Sequence, residues 1–163
     1  MNWEFIKRLQ DVYEILDKIE LQTMERDYPI IWEKVHATSC AQIGRMLAQK
    51  RQVDVEQAAL ACALHDSGRW VTGRQENHAP KGEELTRRFL EKQSFPRDIQ
   101  ELIVKAVIHH SKKEEIGTPL EELVKDADIL DCYWYGDSIT KKFHVARVQK
   151  VLYDLKIVSS MEG

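Results

Sequence analysis

The sequence predicts an all-α fold of about six to seven helices, and three observations carry that prediction. Apolar residues recur at intervals of three and four, not two, through nearly the whole chain. Breakers are sparse, with 7 glycines and 4 prolines. Those that occur, as at Asp27-Tyr28-Pro29 and Thr118-Pro119, fall between periodic stretches and carry helix-start chemistry.

A first helix runs from Trp3 to Met24, with Phe5, Leu9, Val12, Leu16 and Ile19 on one face and Arg8, Asp11, Lys18 and Glu20 elsewhere. Asp27, Tyr28 and Pro29 end that pattern. The second helix, Ile30 to Gln49, places His36, Cys40, Ile43 and Leu47 on one stripe, so His36 faces inward. Asp54, with Gln57 three residues on, has the form of a capping box. It opens a third helix that ends near Ser67-Gly68 and presents His65 and Asp66 in its last turn. Arg69 to Ala79 is polar and aperiodic, and reads as a loop. Pro80 starts a short helix through Leu90, and Pro96 opens another through His110 with Ile99, Leu102, Ile103, Ala106 and Val107 inward. Thr118-Pro119 is an N-cap and N1 pair for a helix through Trp134. A final helix from Ile139 to Leu155 carries Phe143, Ala146, Val148, Val151 and Leu152, and the tail from Ile157 to Gly163 reads as a frayed end.

At 163 residues the chain has the size of one domain spanning 1–163, large enough to bury a core without staples. The net charge of -3, from 24 basic and 27 acidic residues, supplies no basic field, so no nucleic-acid partner is expected. Cys40, Cys62 and Cys132 are odd in number and lack CxxC spacing, which reads as reduced thiols in a cytoplasmic protein. The first residues lack signal-peptide character and no stretch has the apolar length of a bilayer span, so no membrane partner is expected. The pattern prescribes no oligomeric state.

The chemistry concentrates at His65-Asp66, which closes the apolar run Ala58 to Leu64. A carboxylate at a helix C-terminus meets the unfavourable end of the dipole, and a cation would compensate. His36 lies upstream, and His78, His109, His110 and Asp128 lie downstream. Imidazole and carboxylate together suit a divalent transition metal and leave room for a water that the metal can acidify. Asp126, Asp128 and Asp131 compete for the last ligand position, with Asp128 beside the inward stripe Leu120, Val124, Ala127 and Asp131 able to orient a histidine. Arg69 and Lys81, each three residues after a proposed ligand, are the first choices for phosphate, and Lys112 is next. Lys113 and His144 read as solvated, and Tyr133-Trp134-Tyr135 as completing the core.

His36, His65-Asp66 and Asp128, the last within Lys125-Asp126-Ala127-Asp128-Ile129-Leu130-Asp131, resemble the H…HD…D signature of the HD-domain superfamily of metal-dependent phosphohydrolases. The resemblance covers Ile30 to Asp137 and points to its small bacterial hydrolases. It implies an HD-domain helical bundle holding one or two divalent ions (Mn, Fe, Co, Ni, Mg or Zn). The first would take His36, His65, Asp66 and Asp128, and the second His78 with His109 or His110, Asp66 bridging. It further implies hydrolysis of a phosphate ester or anhydride by a metal-activated hydroxide, on a small phosphorylated substrate such as a nucleotide, with Asp66, Arg69 and Lys81 as catalytic residues. Two other readings share the pattern: a di-iron oxygenase on the same ligand set, and a noncatalytic regulatory module with a structural metal. The chain lacks a Gly-Tyr-Pro element, has Ser67-Gly68-Arg69 where alarmone hydrolases carry acidic residues, and has Arg69 at the place of a familiar lysine.

Overall fold

The computed structural model describes residues 1–157. Among them are nine α-helices: α1 Trp3–Glu20, α2 Ile30–Arg51, α3 Val55–Leu64, α4 Ser67–Thr72, α5 His78–Lys81, α6 Glu83–Lys92, α7 Arg97–His109, α8 Pro119–Trp134 and α9 Lys142–Asp154. The all-α prediction therefore holds, with more and shorter elements around the HD pair. The frayed tail expected from Ile157 lies outside the described residues except for Ile157 itself.

The helix starts follow the caps. Asp54 accepts from the Gln57 amide at 2.8 Å, and Thr118 forms a complete capping box with Glu121. α1 stops at Glu20 and not Met24, because its buried stripe of Val12, Leu16 and Ile19 ends there. The larger correction concerns Arg69 to Ala79, expected as a loop. The helix breaks at Asp66 (φ -91°, ψ 12°) and restarts as α4, whose first four residues are all buried, and the helix expected from Pro80 through Leu90 is divided into α5, which contains Pro80, and α6, which starts at Glu83. Trp70 is the anchor, fully buried in the main core. Burial of that indole against neighbouring helices holds a segment too short for a visible hydrophobic period.

α3 is the central helix, with every residue from Ala58 to Leu64 buried. α2 lies along it, α8 packs on both, and α7 packs on α3 and α8. α1 covers α2 and α3, α6 covers α7, and α9 covers α8. Asp126, 1% exposed, ties the bundle together by pairing with Arg51 of α2 and Arg147 of α9, each at 2.8 Å. That assigns one of the three competing aspartates to architecture. Tyr133, Trp134 and Tyr135 do not complete the core: each is more than two-fifths exposed, and the last two border a groove on the outer side of α2. No helix among the described residues is long and apolar enough to cross a membrane.

Candidate metal centre

Five elements deliver one side chain or more to a common point. The inward stripe of α2 brings His36, the α3–α4 junction brings His65 and Asp66, α5 brings His78, the end of α7 brings His110, and α8 brings Asp128. His36 Nε2 lies 3.1 Å from His65 Nε2, 3.4 Å from Asp66 Oδ2 and 3.3 Å from Asp128 Oδ1. His65 Nε2 lies 3.2 Å from Asp66 Oδ2 and 3.7 Å from Asp128 Oδ1. On the other side of the same carboxylate, His78 Nε2 is 2.9 Å and His110 Nε2 3.5 Å from Asp66 Oδ1, and the two nitrogens are 3.0 Å apart. Asp66 thus turns one oxygen to each group.

These spacings fit a cation. Ligand atoms about 2.1 Å from one ion in tetrahedral or octahedral geometry stand roughly 3.0 to 3.4 Å apart. The hydrogen bonds fit as well. His36 Nδ1 donates to Asp131 Oδ2 at 2.6 Å, His65 Nδ1 to the Cys62 carbonyl at 2.7 Å, His78 Nδ1 to the Gln75 carbonyl at 2.6 Å and His110 Nδ1 to the Val107 carbonyl at 2.7 Å. Each neutral imidazole then presents its Nε2 lone pair inward, toward other lone pairs and two carboxylates. Convergent acceptors repel unless something positive lies among them.

In the metal-free protein protons supply part of that charge. Burial opposes protonation of His65, but the Asp66 charge and its contacts with Asp128 outweigh it and raise its pKa to about 10. His36 moves up against burial in the same way, through Asp128 and Asp131. His110 goes the other way: burial, aided by the His65 and Lys113 charges and resisted by Asp66, lowers it to about 4. Burial would raise Asp66 and Asp128, yet the cations around them hold both well below the usual carboxylate range.

A metal must displace the His65 proton at any pH below about 10. Metal affinity is therefore expected to rise through the neutral range, by about tenfold per pH unit for each proton displaced. Calorimetric titrations in buffers of different ionisation enthalpy count those protons, and an affinity independent of pH would contradict the arrangement. In the metal-free protein the same shift stabilises the fold fully below about 6.5, and that contribution fades as pH rises toward about 10.

The structure separates the remaining sequence candidates. His110 joins the cluster and His109 does not: its Nδ1 lies 2.8 Å from Glu121 Oε1, on the outer side of α7. Lys81 is exposed and borders a different groove with Asp11, Glu14 and Lys18, so its expected phosphate role is not supported by its position. Lys112 is exposed and near Glu115. Arg69 borders the cleft, but carboxylates hold it. Its Nε and Nη2 donate to the two oxygens of Glu33 at 2.8 and 2.9 Å, Nη2 also to Asp66, and Nη1 to Gln75 at 2.6 Å. Arg69 is a positioning residue for Asp66, and its fork has little left for phosphate.

Several residues escaped the sequence argument. Glu33, 1% exposed, faces Arg69 from one turn before His36. Lys113, read as solvated, is buried and donates to Asp128 Oδ2 and the His110 carbonyl. It stands three residues after His110, the same offset that singled out Arg69 and Lys81, and that spacing could have found it. His144, with Lys141 and Phe143, forms a wall of the cleft instead of free surface. Cys40 Sγ is 3.6 Å from His36 Nδ1, and Cys132 Sγ is 3.6 Å from Asp128 Oδ1. Both thiols thus flank the cluster, and groups such as His65, Asp66 and His110, or His36, Asp128 and Cys132, could hold an ion.

A family model described as HD domain matches residues 35–133. The matched segment begins just before His36 and ends just after Asp131, so it contains every side chain of the cluster. No curated protein and no solved structure matches the chain. With more than half of its length matched and with its paired His65-Asp66 at the centre of a convergent ligand set, the chain belongs to the HD-domain family, in a superfamily of metal-dependent hydrolases.

Proposed function

We propose that this protein is a phosphohydrolase that cleaves a phosphate ester or anhydride of a small molecule, a nucleotide, using divalent ions held by its histidines and aspartates. His36, His65, Asp66 and Asp128 would hold one ion, and Asp66, His78 and His110 a second. When bound, the ions polarise a phosphoryl oxygen and acidify the water that attacks it.

The observation that carries this reading is access. His36, Asp66, His78, His110 and Asp128 form the floor of an open cleft of about 540 Å³, a size that takes one small ligand. A structural metal site would be closed by its protein ligands. The chain's own residues make the floor rigid. Asp131 fixes the orientation of His36, and Trp32 stacks on the same ring at 5.0 Å and 14°. Arg69, itself paired with Glu33, holds Asp66, while Tyr28 lies against the Arg69 guanidinium at 4.7 Å. Above the floor, Phe143 offers an apolar face, and Ser111, Ser138 and Thr140 offer hydroxyls, a mixture suited to a base and a sugar.

The test is phosphate release from a panel of nucleotides, dinucleoside polyphosphates and sugar phosphates, by protein purified without chelator and loaded in turn with manganese, cobalt, nickel and iron. Metal-dependent hydrolysis of at least one nucleotide is expected. Metal-loaded protein inert toward the whole panel would contradict the proposal, and oxygen uptake by the iron-loaded form would favour the oxygenase reading instead.

A further inference from the structure

We infer that Lys113 is the phosphate-contacting cation of this cleft, a role that rests on the phosphohydrolase reading. An ammonium has three donors. At Lys113 one goes to the His110 carbonyl at 2.6 Å and one to Asp128 Oδ2, and no other acceptor meets it among the described residues. The side chain is only 6% exposed, so bulk water does little for the third donor, yet it lines the cleft between His110 and Asp128. An anionic oxygen entering over the convergent histidines and aspartates would take that third donor. Among the described residues the other buried lysine or arginine on the cleft is Arg69, and Glu33, Asp66 and Gln75 already engage it. Lys141 and His144 line the same cleft at the start of α9, and both are more exposed.

Charge balance points the same way. Around the centre four carboxylates, Glu33, Asp66, Asp128 and Asp131, face two cations, Arg69 and Lys113, while the imidazoles in their metal-binding form are neutral. The surplus of two negative charges is matched by a single divalent ion. A phosphate dianion that enters with a second divalent ion leaves the centre neutral again. Lys113 belongs to the positive side of that balance, so it opposes cations and favours anions. Its removal has opposite effects on the two ligands, which a mere support for Asp128 would not have.

The experiment titrates inorganic phosphate into manganese-loaded protein by calorimetry, after a separate titration of manganese into metal-free protein. Lys113→Met is expected to weaken phosphate binding by roughly tenfold or more, the worth of one hydrogen bond to a charged group, with manganese affinity equal to or above that of the wild type. Lys113→Arg is expected to retain phosphate binding within about threefold. Should the methionine variant fail to fold, Lys113→Gln, which can still donate to the His110 carbonyl, carries the same expected loss. Unchanged phosphate affinity in the neutral variant, or a parallel fall in phosphate and manganese affinity, overturns the inference and leaves the metal centre standing. A wild-type protein that binds no manganese overturns both.

Discussion

Asp66→Asn is expected to leave the protein with less than one equivalent of bound metal and to lower hydrolysis by roughly 10³-fold or more, because both proposed ion sites would lose their shared carboxylate. Asp66 Oδ2 faces His36 and His65, while Oδ1 faces His78 and His110. Asparagine keeps the shape, but its amide turns a donor toward one of those lone-pair groups and removes the negative charge from between them. Arg69 keeps its two bonds to Glu33, so the junction has a partner for its guanidinium without Asp66. The fold should therefore survive, which circular dichroism checks, while elemental analysis reads the metal. Retention of half or more of the wild-type metal in a folded variant would contradict a bridging role.

Gly68→Ala has the second largest expected effect, and it acts through the backbone. A Cβ at this position would stand 1.9 Å from the His78 carbonyl oxygen and 2.7 Å from the Gly82 nitrogen. Neither is the end of a flexible side chain, so α4 and α5 must separate. Overpacking of this kind costs about 1–3 kcal/mol and occasionally more. In a chain of this length each kcal/mol lowers the melting temperature by about 2–4 °C. Because α5 carries His78, the variant should also lose the ion proposed at His78 and His110 before the one proposed at His36, His65 and Asp128. A melting temperature and metal content equal to those of the wild type would show that α5 is not held by this close approach.

Much of the bundle was legible because long amphipathic helices repeat their signal. His36 shares a stripe with Cys40, Ile43 and Leu47, and that spacing alone turned it inward, where it is 2% exposed. Thr118 and Asp54 announced their helices through side chains that accept from the first turn. α4 and α5 were not legible, since helices of six and four residues complete too little of a turn pattern to show a period. Their existence depends on Trp70 finding the core and on Gly68 letting two backbones meet, and both are tertiary facts.

Within the site, residue type was easier to read than direction. His109 and His110 are about 100° apart around a helix, so a stripe places both near the inner side and cannot choose. The choice falls at the helix end, where His110 is the cap of α7 with its Nδ1 on the Val107 carbonyl, and His109 meets Glu121. Asp126, Asp128 and Asp131 separate by partner: arginines for the first, the cluster for the second, the back of His36 for the third. Arg69 and Lys81 show what proximity along the chain omits. The partner that engages Arg69 most fully, Glu33, lies 36 positions upstream, and Lys81 emerges from α5 on the side away from the cleft.

The measurement that tests the central claim most directly is a crystal structure of the protein loaded with manganese or cobalt, with the ions located by anomalous scattering. Density is expected within about 2.0–2.3 Å of His36 Nε2, His65 Nε2, an Asp66 oxygen and an Asp128 oxygen, a normal range for imidazole and carboxylate ligands. Ions bound only elsewhere, with these four side chains hydrogen-bonded to one another and no density among them, would contradict it.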